Sequence, residues 1–402
     1  MEEIYLDNSA TTRVCEKSAE KVLELMTQCY GNPSSLHKKG LEAQREVAHA
    51  RQAVAVSLGA QPREIIFTSG GTEANNLAVL GGAAAGRRRG KRIVTTAIEH
   101  PSVLEPMRQL EKEGFEVVFL TPDADGRVPE EAVLKAVTGD TILISVMAVN
   151  NELGSIQPIE VLKKAVKRAG APALVHVDGV QAYGKLPLRP EKLGIDLLTV
   201  SGHKIHGPKG VGALYVSKNA RILPRTFGGG QERELRPGTE AAPLIAGLGA
   251  AVEELPDWRQ AYSRMEKLRD YTLQKLSGLE GVEVNSPVEG LPYLLNFSAL
   301  GIRSETMLHF LAQRGIYVSS GSACAKGKQS HVLKAAGLPD SRISSAIRVS
   351  LSRESIERDA DALAEGLREG LACLPDARRK PPATSQRPAA NPPSLGRPGK
   401  SY

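Results

Sequence analysis

Apolar and polar positions follow two rhythms along this chain. Short apolar runs of strand length, at residues 64–68, 93–97, 114–120, 141–149, 173–178 and 197–200, are separated by longer stretches with apolar residues at helical spacing. Residues 41–58 keep the helical spacing and stop at Gly59, and another helical stretch ends near residue 30. The strand-like runs finish in polar clusters: Ser69-Gly70-Gly71-Thr72, Glu99-His100, Asn150-Asn151-Glu152, Asp178, and Ser201-Gly202-His203-Lys204. Reactive residues gathered at one end of successive strands predict an α/β fold, with a mostly parallel sheet between helices and a crevice at the carboxyl ends of the strands. After a charged amphipathic helix over 258–279 the pattern changes to short strands at 282–284, 294–298, 316–319 and 346–350, and a last helix over 355–374. That change predicts a smaller α+β domain, completed by the strand-like start at residue 5. The expected division is a large domain over 14–255, a small one from 1–13 and 256–375, and a tail over 376–402.

Composition narrows the class without naming a function. The 402 residues exceed the usual size of one domain, and 41% hydrophobic with 24% charged residues is an ordinary globular balance. Nothing resembles an 18-residue apolar run, and the acidic start MEEIYLDNSATT lacks an apolar leader core, so a cytoplasmic protein without membrane contact is expected. Most of the net charge of +7 sits after residue 375, where six basic residues face one acid among six prolines. Such a tail is predicted to be disordered, and the charge is not read as a nucleic-acid surface. Four cysteines (Cys15, Cys29, Cys324, Cys373) lie far apart with no CxxC, so neither a metal site nor a disulfide framework is expected.

The chemistry begins at Asp178 and Lys204, an acid and a lysine at the ends of two neighbouring strand-like runs. Pyridoxal 5'-phosphate (PLP) needs such a pair, the lysine to hold its aldehyde and the acid to partner its pyridine nitrogen. The same two residues fit a surface ion pair equally well. The Gly70-Gly71 turn into a helix offers backbone N–H groups to a phosphate, with Thr72 adding a hydroxyl.

Further motifs decide between these readings. YLDNSATT, GNPSS, FTSGGTEANNLA, VNNELG, HVDGVQ, SGHKIHGPKGVGALYV, GGGQE with RPGT, SSGSAC and IRVSLSR occur in the order found in cysteine desulfurases of the NifS/IscS type, and the chain resembles that family up to about residue 374. The family belongs to the class V aminotransferases, fold-type I PLP enzymes. The resemblance implies that Lys204 carries the cofactor, Asp178 keeps its ring nitrogen protonated, and His100 lies on the ring face and moves protons. It implies Gln181 at the phenolic oxygen with Asn151 beside it, and Gly71, Thr72, Ser201 and His203 at the phosphate. Thr239, in RPGT, resembles a residue that reaches the phosphate across a dimer interface, which implies a homodimer; Pro237 stands where the family has serine. Arg348 resembles the arginine that clamps the substrate carboxylate, with Asn32 as its helper.

Cys324 separates desulfuration from the other reactions of this fold, since transamination, decarboxylation and elimination need no thiol nucleophile. The resemblance implies L-cysteine as substrate, L-alanine as product, and a persulfide on Cys324 handed to a protein acceptor such as an iron–sulfur scaffold or a tRNA-thiolating enzyme. Lys326 and Lys328 are near enough in sequence to favour the thiolate. The rival readings are a selenocysteine lyase or another class V enzyme, and a non-catalytic scaffold. Lys204 and Cys324 together count against the scaffold, which needs neither.

Overall fold

The structure, a computed structural model, describes residues 3–320 and 329–375. Seven strands form the central sheet: β2 (Ile65–Thr68), β3 (Arg92–Thr96), β4 (Glu116–Leu120), β5 (Thr141–Met147), β6 (Leu174–Asp178), β7 (Leu197–Ser201) and β8 (Gly212–Val216), in the spatial order β2-β8-β7-β6-β5-β3-β4. All run parallel except β8, which pairs antiparallel with both β7 and β2. Every residue of β5, β6, β7 and β8 is buried, because helices cover both faces, and this is why those segments read as continuous apolar runs instead of alternating.

Two helices precede the sheet, α1 (Glu16–Thr27) and α2 (Lys38–Leu58). The first stops at Thr27, short of residue 30, with the Cys29 N–H reaching back to Glu24 O at 3.1 Å. The second ends on Gly59 at φ 66°, the left-handed cap glycine supplies without strain. The crossovers are α3 (Gly71–Gly86), α4 (Pro101–Lys112), α5 (Glu130–Ala136), α6 (Glu160–Ala169) and the short α7 (Pro190–Leu193), followed by α8 (Ala242–Glu253) and the long α9 (Trp258–Ser277). No helix among the described residues is long and apolar enough to cross a membrane.

The remaining strands make two small sheets. β9 (Val282–Val284), β10 (Leu294–Ala299) and β12 (Ala346–Ser350) form an antiparallel sheet in the order β12-β10-β9, while β1 (Ile4–Tyr5) pairs parallel with β11 (Ile316–Tyr317). Around them lie α10 (Ser304–Ala312), α11 (His331–Ala335), α12 (Asp340–Ser344) and α13 (Glu357–Cys373). The expected strand over 316–319 is shorter, because Ser319 leaves β11 to bridge Arg348 on β12. The N-terminal segment bridges the same strand, Asp7 to Ser350, which carries Asp7 beside Arg348.

Gly212 is where the two halves of the site meet. It lies opposite Ser201 on β7 and Thr68 on β2, and an added Cβ would approach Val200 O to 2.7 Å and Gly70 Cα to 2.8 Å. Both neighbours are backbone and cannot step aside. Gly212→Ala is therefore expected to cost about 1–3 kcal/mol in denaturant unfolding; unchanged stability would mean that the sheet opens freely at this point.

Candidate active site

One cavity of about 390 Å³ opens where the parallel strands end. The turn after β2 contributes Gly71 and Thr72, the turn after β3 contributes His100, and β5 runs into Val149, Asn151 and Glu152. β6 contributes Asp178 and the adjoining Gln181, and β7 contributes Ser201, His203 and Lys204. Arg348 reaches in from β12, and Ser9 and Ala10 from the N-terminal turn. The edge strand β4 delivers nothing to the cavity: its only sheet neighbour is β3, and its end lies beyond the crevice.

Asp178 is 5% exposed and its charge is held by two donors, Asn75 Nδ2 at 2.8 Å and the Val180 N–H at 3.0 Å. Asn75 sits one turn into α3, and the same amide nitrogen donates to Ser102 Oγ at 2.8 Å. Ser102 Oγ is in turn 2.8 Å from His100 Nδ1, which also accepts the Ser102 N–H at 3.1 Å. An Nδ1 that accepts a backbone N–H must be bare, so the neutral ring carries its proton on Nε2. Burial lowers the His100 pKa; Lys204 and His331 push the same way, and Asp178 opposes them.

Lys204 closes the opposite wall. Its Nζ donates to the carbonyls of Ser9 and of Ala10, the latter at 2.9 Å. His203 beside it is held down to about 4, mainly by burial and then by the Lys204 and Lys209 charges. Gln181 Nε2 donates to Ser9 O at 3.0 Å, whereas its Oε1 is buried without a partner among the described residues, as is Ser201 Oγ. Buried polar atoms rarely stay unmatched. Gly70, at φ 148° and ψ −175°, adopts a conformation open in practice to glycine alone, and turns the chain so that the first N–H groups of α3 face the cavity beside Ser201. The residues present therefore fit PLP: an acid for a ring nitrogen, a lysine for an aldehyde, and an unmatched hydroxyl beside a helix start for a phosphate.

Arg348 is 2% exposed; it pairs with Asp7 Oδ1 at 2.7 Å and donates to Asn151 O at 3.0 Å. Asp7 follows the first strand-like run directly, yet nothing local tells that it will meet an arginine far along the chain. His331 and Asn75 also line the cavity without having been expected there. His331 opens α11 and its Nε2 lies 3.0 Å from Glu99 O. The motif FTSGGTEANNLA contains Asn75, so the spacing of one helical turn from Gly71 could have found it; His331 carries no comparable signal. Two expected residues are not brought in. Asn32 is exposed, with Oδ1 accepting the Ser34 N–H at 2.9 Å, and Thr239 is exposed, neither lining this cavity. Cys324 lies outside the described residues. Cys15, Cys29 and Cys373 do not line the cavity, and no metal-binding cluster occurs among the described residues.

Glu99, fully buried behind His100, has one oxygen accepting from Thr96 Oγ1 at 2.7 Å and the Met147 N–H at 2.9 Å. Burial pushes its pKa up to about 8, so it stays protonated at neutral pH. A folded-state pKa raised above the ordinary 4.5 means that the folded form binds this proton more tightly. Its contribution to stability is complete below 4.5 and is lost as pH rises through 8. Glu99→Gln, which imitates the neutral acid, should match the parent protein near pH 4 and exceed it by on the order of 3 kcal/mol near pH 7 in unfolding of the cofactor-free protein. Parallel pH profiles for the two proteins would show that Glu99 is ionised.

Comparison with known proteins agrees with this fold. The family profile of aminotransferase class-V matches residues 4–363. A cysteine desulfurase of Trichormus azollae is 43% identical over 374 residues, covering 92% of this chain and 93% of its own. Cysteine desulfurase IscS of Serratia proteamaculans (strain 568) is 41% identical over 382 residues, covering 93% of this chain and 94% of its own. Among solved structures, a NifS-like protein superposes with a TM-score of 0.88 at 40% identity, over 93% of this chain and all 100% of its own. SspA, solved in complex with cysteine, superposes with a TM-score of 0.77 at 35% identity, over 88% of this chain and 99% of its own. The chain belongs to the class-V aminotransferase family and, within it, to the cysteine desulfurases.

Proposed function

We propose that this cysteine desulfurase uses PLP to take sulfur from L-cysteine, releases L-alanine, and passes the sulfur from Cys324 to a protein acceptor. The observation that carries the reading is the convergence of Asp178, Lys204 and the unmatched Ser201 hydroxyl on one cavity, next to the helix start after Gly70. When bound, PLP supplies the electron sink that stabilises negative charge at the substrate Cα.

The chain's own residues divide the remaining work. Lys204 holds the cofactor, and Asp178, fixed by Asn75, keeps the ring nitrogen protonated. Ser201, His203, Gly71 and Thr72 bind the phosphate, and Gln181 meets the phenolic oxygen with Asn151 alongside. His100 covers the ring face and moves protons from Nε2, the position its Ser102 contacts leave protonated. Arg348 receives the substrate carboxylate by exchanging its Asp7 contact for a second fork, aided by Asn32. The Cys324 thiolate attacks the substrate Sγ, the Cβ–Sγ bond breaks, and Cβ takes a proton to become the alanine methyl group. The sulfur remains on Cys324 as a persulfide.

The working unit in this proposal is a cytoplasmic homodimer, in which the partner subunit's Thr239 completes the phosphate site. Exposure of Thr239 in the single chain supports this. The large domain spans 14–255 and the small one 1–13 with 256–375, a division supported by the separate small sheets; the expected tail over 376–402 lies outside the described residues. Acceptors are proteins that receive persulfide sulfur for iron–sulfur clusters or thiolated RNA.

Purified protein incubated with L-cysteine and a thiol reductant should form alanine and sulfide. Cys324→Ser should lose at least about a hundredfold in rate, roughly 3 kcal/mol of barrier, and Lys204→Ala should lose the near-visible absorbance of the cofactor. Undiminished turnover in Cys324→Ser would refute the persulfide route. Arg348→Lys keeps the charge but not the fork, and should raise KM for L-cysteine roughly ten- to hundredfold; an unchanged KM would remove Arg348 from carboxylate binding.

A further inference from the structure

Residues 231–239 lie outside the cavity, yet they hold the most strained backbone among the described residues. Glu232, Arg233 and Glu234 follow one another at φ 46°, 58° and 63°, all left-handed and none of them glycine. Three such residues in a row persist only where surrounding contacts overdetermine them. Those contacts are specific. The Glu232 carboxylate, 2% exposed, takes a two-pronged fork from Arg51 on α2 at 2.7 and 2.8 Å. It also accepts the Phe67 N–H of β2 at 2.9 Å, and the Arg51 guanidinium lies over the Phe67 ring at 4.6 Å. Four residues on, Arg236 Nε donates to Glu73 Oε1 at 2.9 Å in the first turn of α3, and the other oxygen of Glu73 accepts the Ser69 N–H at 2.5 Å.

These two anchors fall on either side of the Gly70-Gly71 turn, one on the strand that enters it and one on the helix that leaves it. We infer that residues 231–239 form a strap that locks this turn, and that Glu232 and Arg236 are positioning residues for the cofactor phosphate. The inference rests on the proposal that the turn binds the phosphate of PLP. A helix start binds an anion well only if its N–H groups are already aimed, since any freedom left in the turn must be removed on binding. Glu232 fixes Phe67, Glu73 fixes Ser69, and the residues between inherit both restraints. The strained backbone is the cost of bringing both anchors into register at once.

The test uses holoenzyme loaded with PLP, following the near-visible absorbance retained by the protein during dialysis. Glu232→Gln and Arg236→Gln should each release PLP at least tenfold faster than the parent protein. Arg233→Gly with Glu234→Gly, which makes the left-handed backbone easy, should recover at least half of that loss in the Glu232→Gln background. With PLP removed, the Phe67 amide should exchange its hydrogen faster in Glu232→Gln. If Glu232→Gln fails to fold, Arg236→Gln decides, because its half-exposed pair carries less burial. PLP release within twofold of the parent in the folded variants, or no recovery by the glycines, would overturn the strap while leaving the PLP site standing. A parent protein without the absorbance band would overturn the cofactor reading, and the strap's role with it.

Discussion

The buried carboxylate of Asp178 is the constraint around which the site is arranged. A charge that is 5% exposed at the end of a central strand must be matched, and no cation touches it among the described residues. A side-chain amide from α3 and a backbone N–H from its own turn meet it. The amide belongs to Asn75, whose other contact continues through Ser102 to His100. One buried carboxylate thereby aligns α3, whose first turn lines the cavity, with the imidazole at its side. In a low-dielectric pocket such a network is rigid when complete and costly when broken.

The acids around the cavity are sorted by environment. Glu99 has lost nearly all contact with water and is held protonated; Glu152, buried against Ser330, is pushed in the same direction, chiefly by burial. Asp178 and Asp7 each have donors that suit a carboxylate, and Asp7 has a full cation in Arg348. A carboxyl group thus stays protonated under burial in one setting and pairs with a cation in another. His176 shows the same sorting for a base: fully buried between Ser145 and Thr199, it is held down to about 3 by burial and stays neutral under the sheet.

Much of the architecture was legible because burial on both faces leaves a plain mark. Strands such as β5, covered by helices above and below, are uniformly apolar, and their ends are marked by the polar residues that water or a ligand must meet. The glycines at 59 and 70 announced a helix end and a sharp turn for the same conformational reason. The antiparallel sense of β8 left no mark, since it depends on which neighbours the strand inserts between and not on its own side chains. Asp7 against Arg348 and Glu232 against Arg51 are ion pairs between distant segments, and sequence spacing holds no information about them.

By itself the sequence determined the strand-and-helix alternation, the placing of reactive residues at strand ends, and the family, because each of these is written in local patterns of burial and in short motifs. Tertiary structure decided which of those residues share a cavity. It set Asn75 and Ser102 behind Asp178 and His100, brought the N-terminal turn onto Lys204, and left Asn32 and Thr239 on the surface of the single chain. The physical reason is that contacts across long chain separations are fixed only when the sheet closes its order. Until then a carboxylate and its partner are two polar residues with nothing in the sequence to join them.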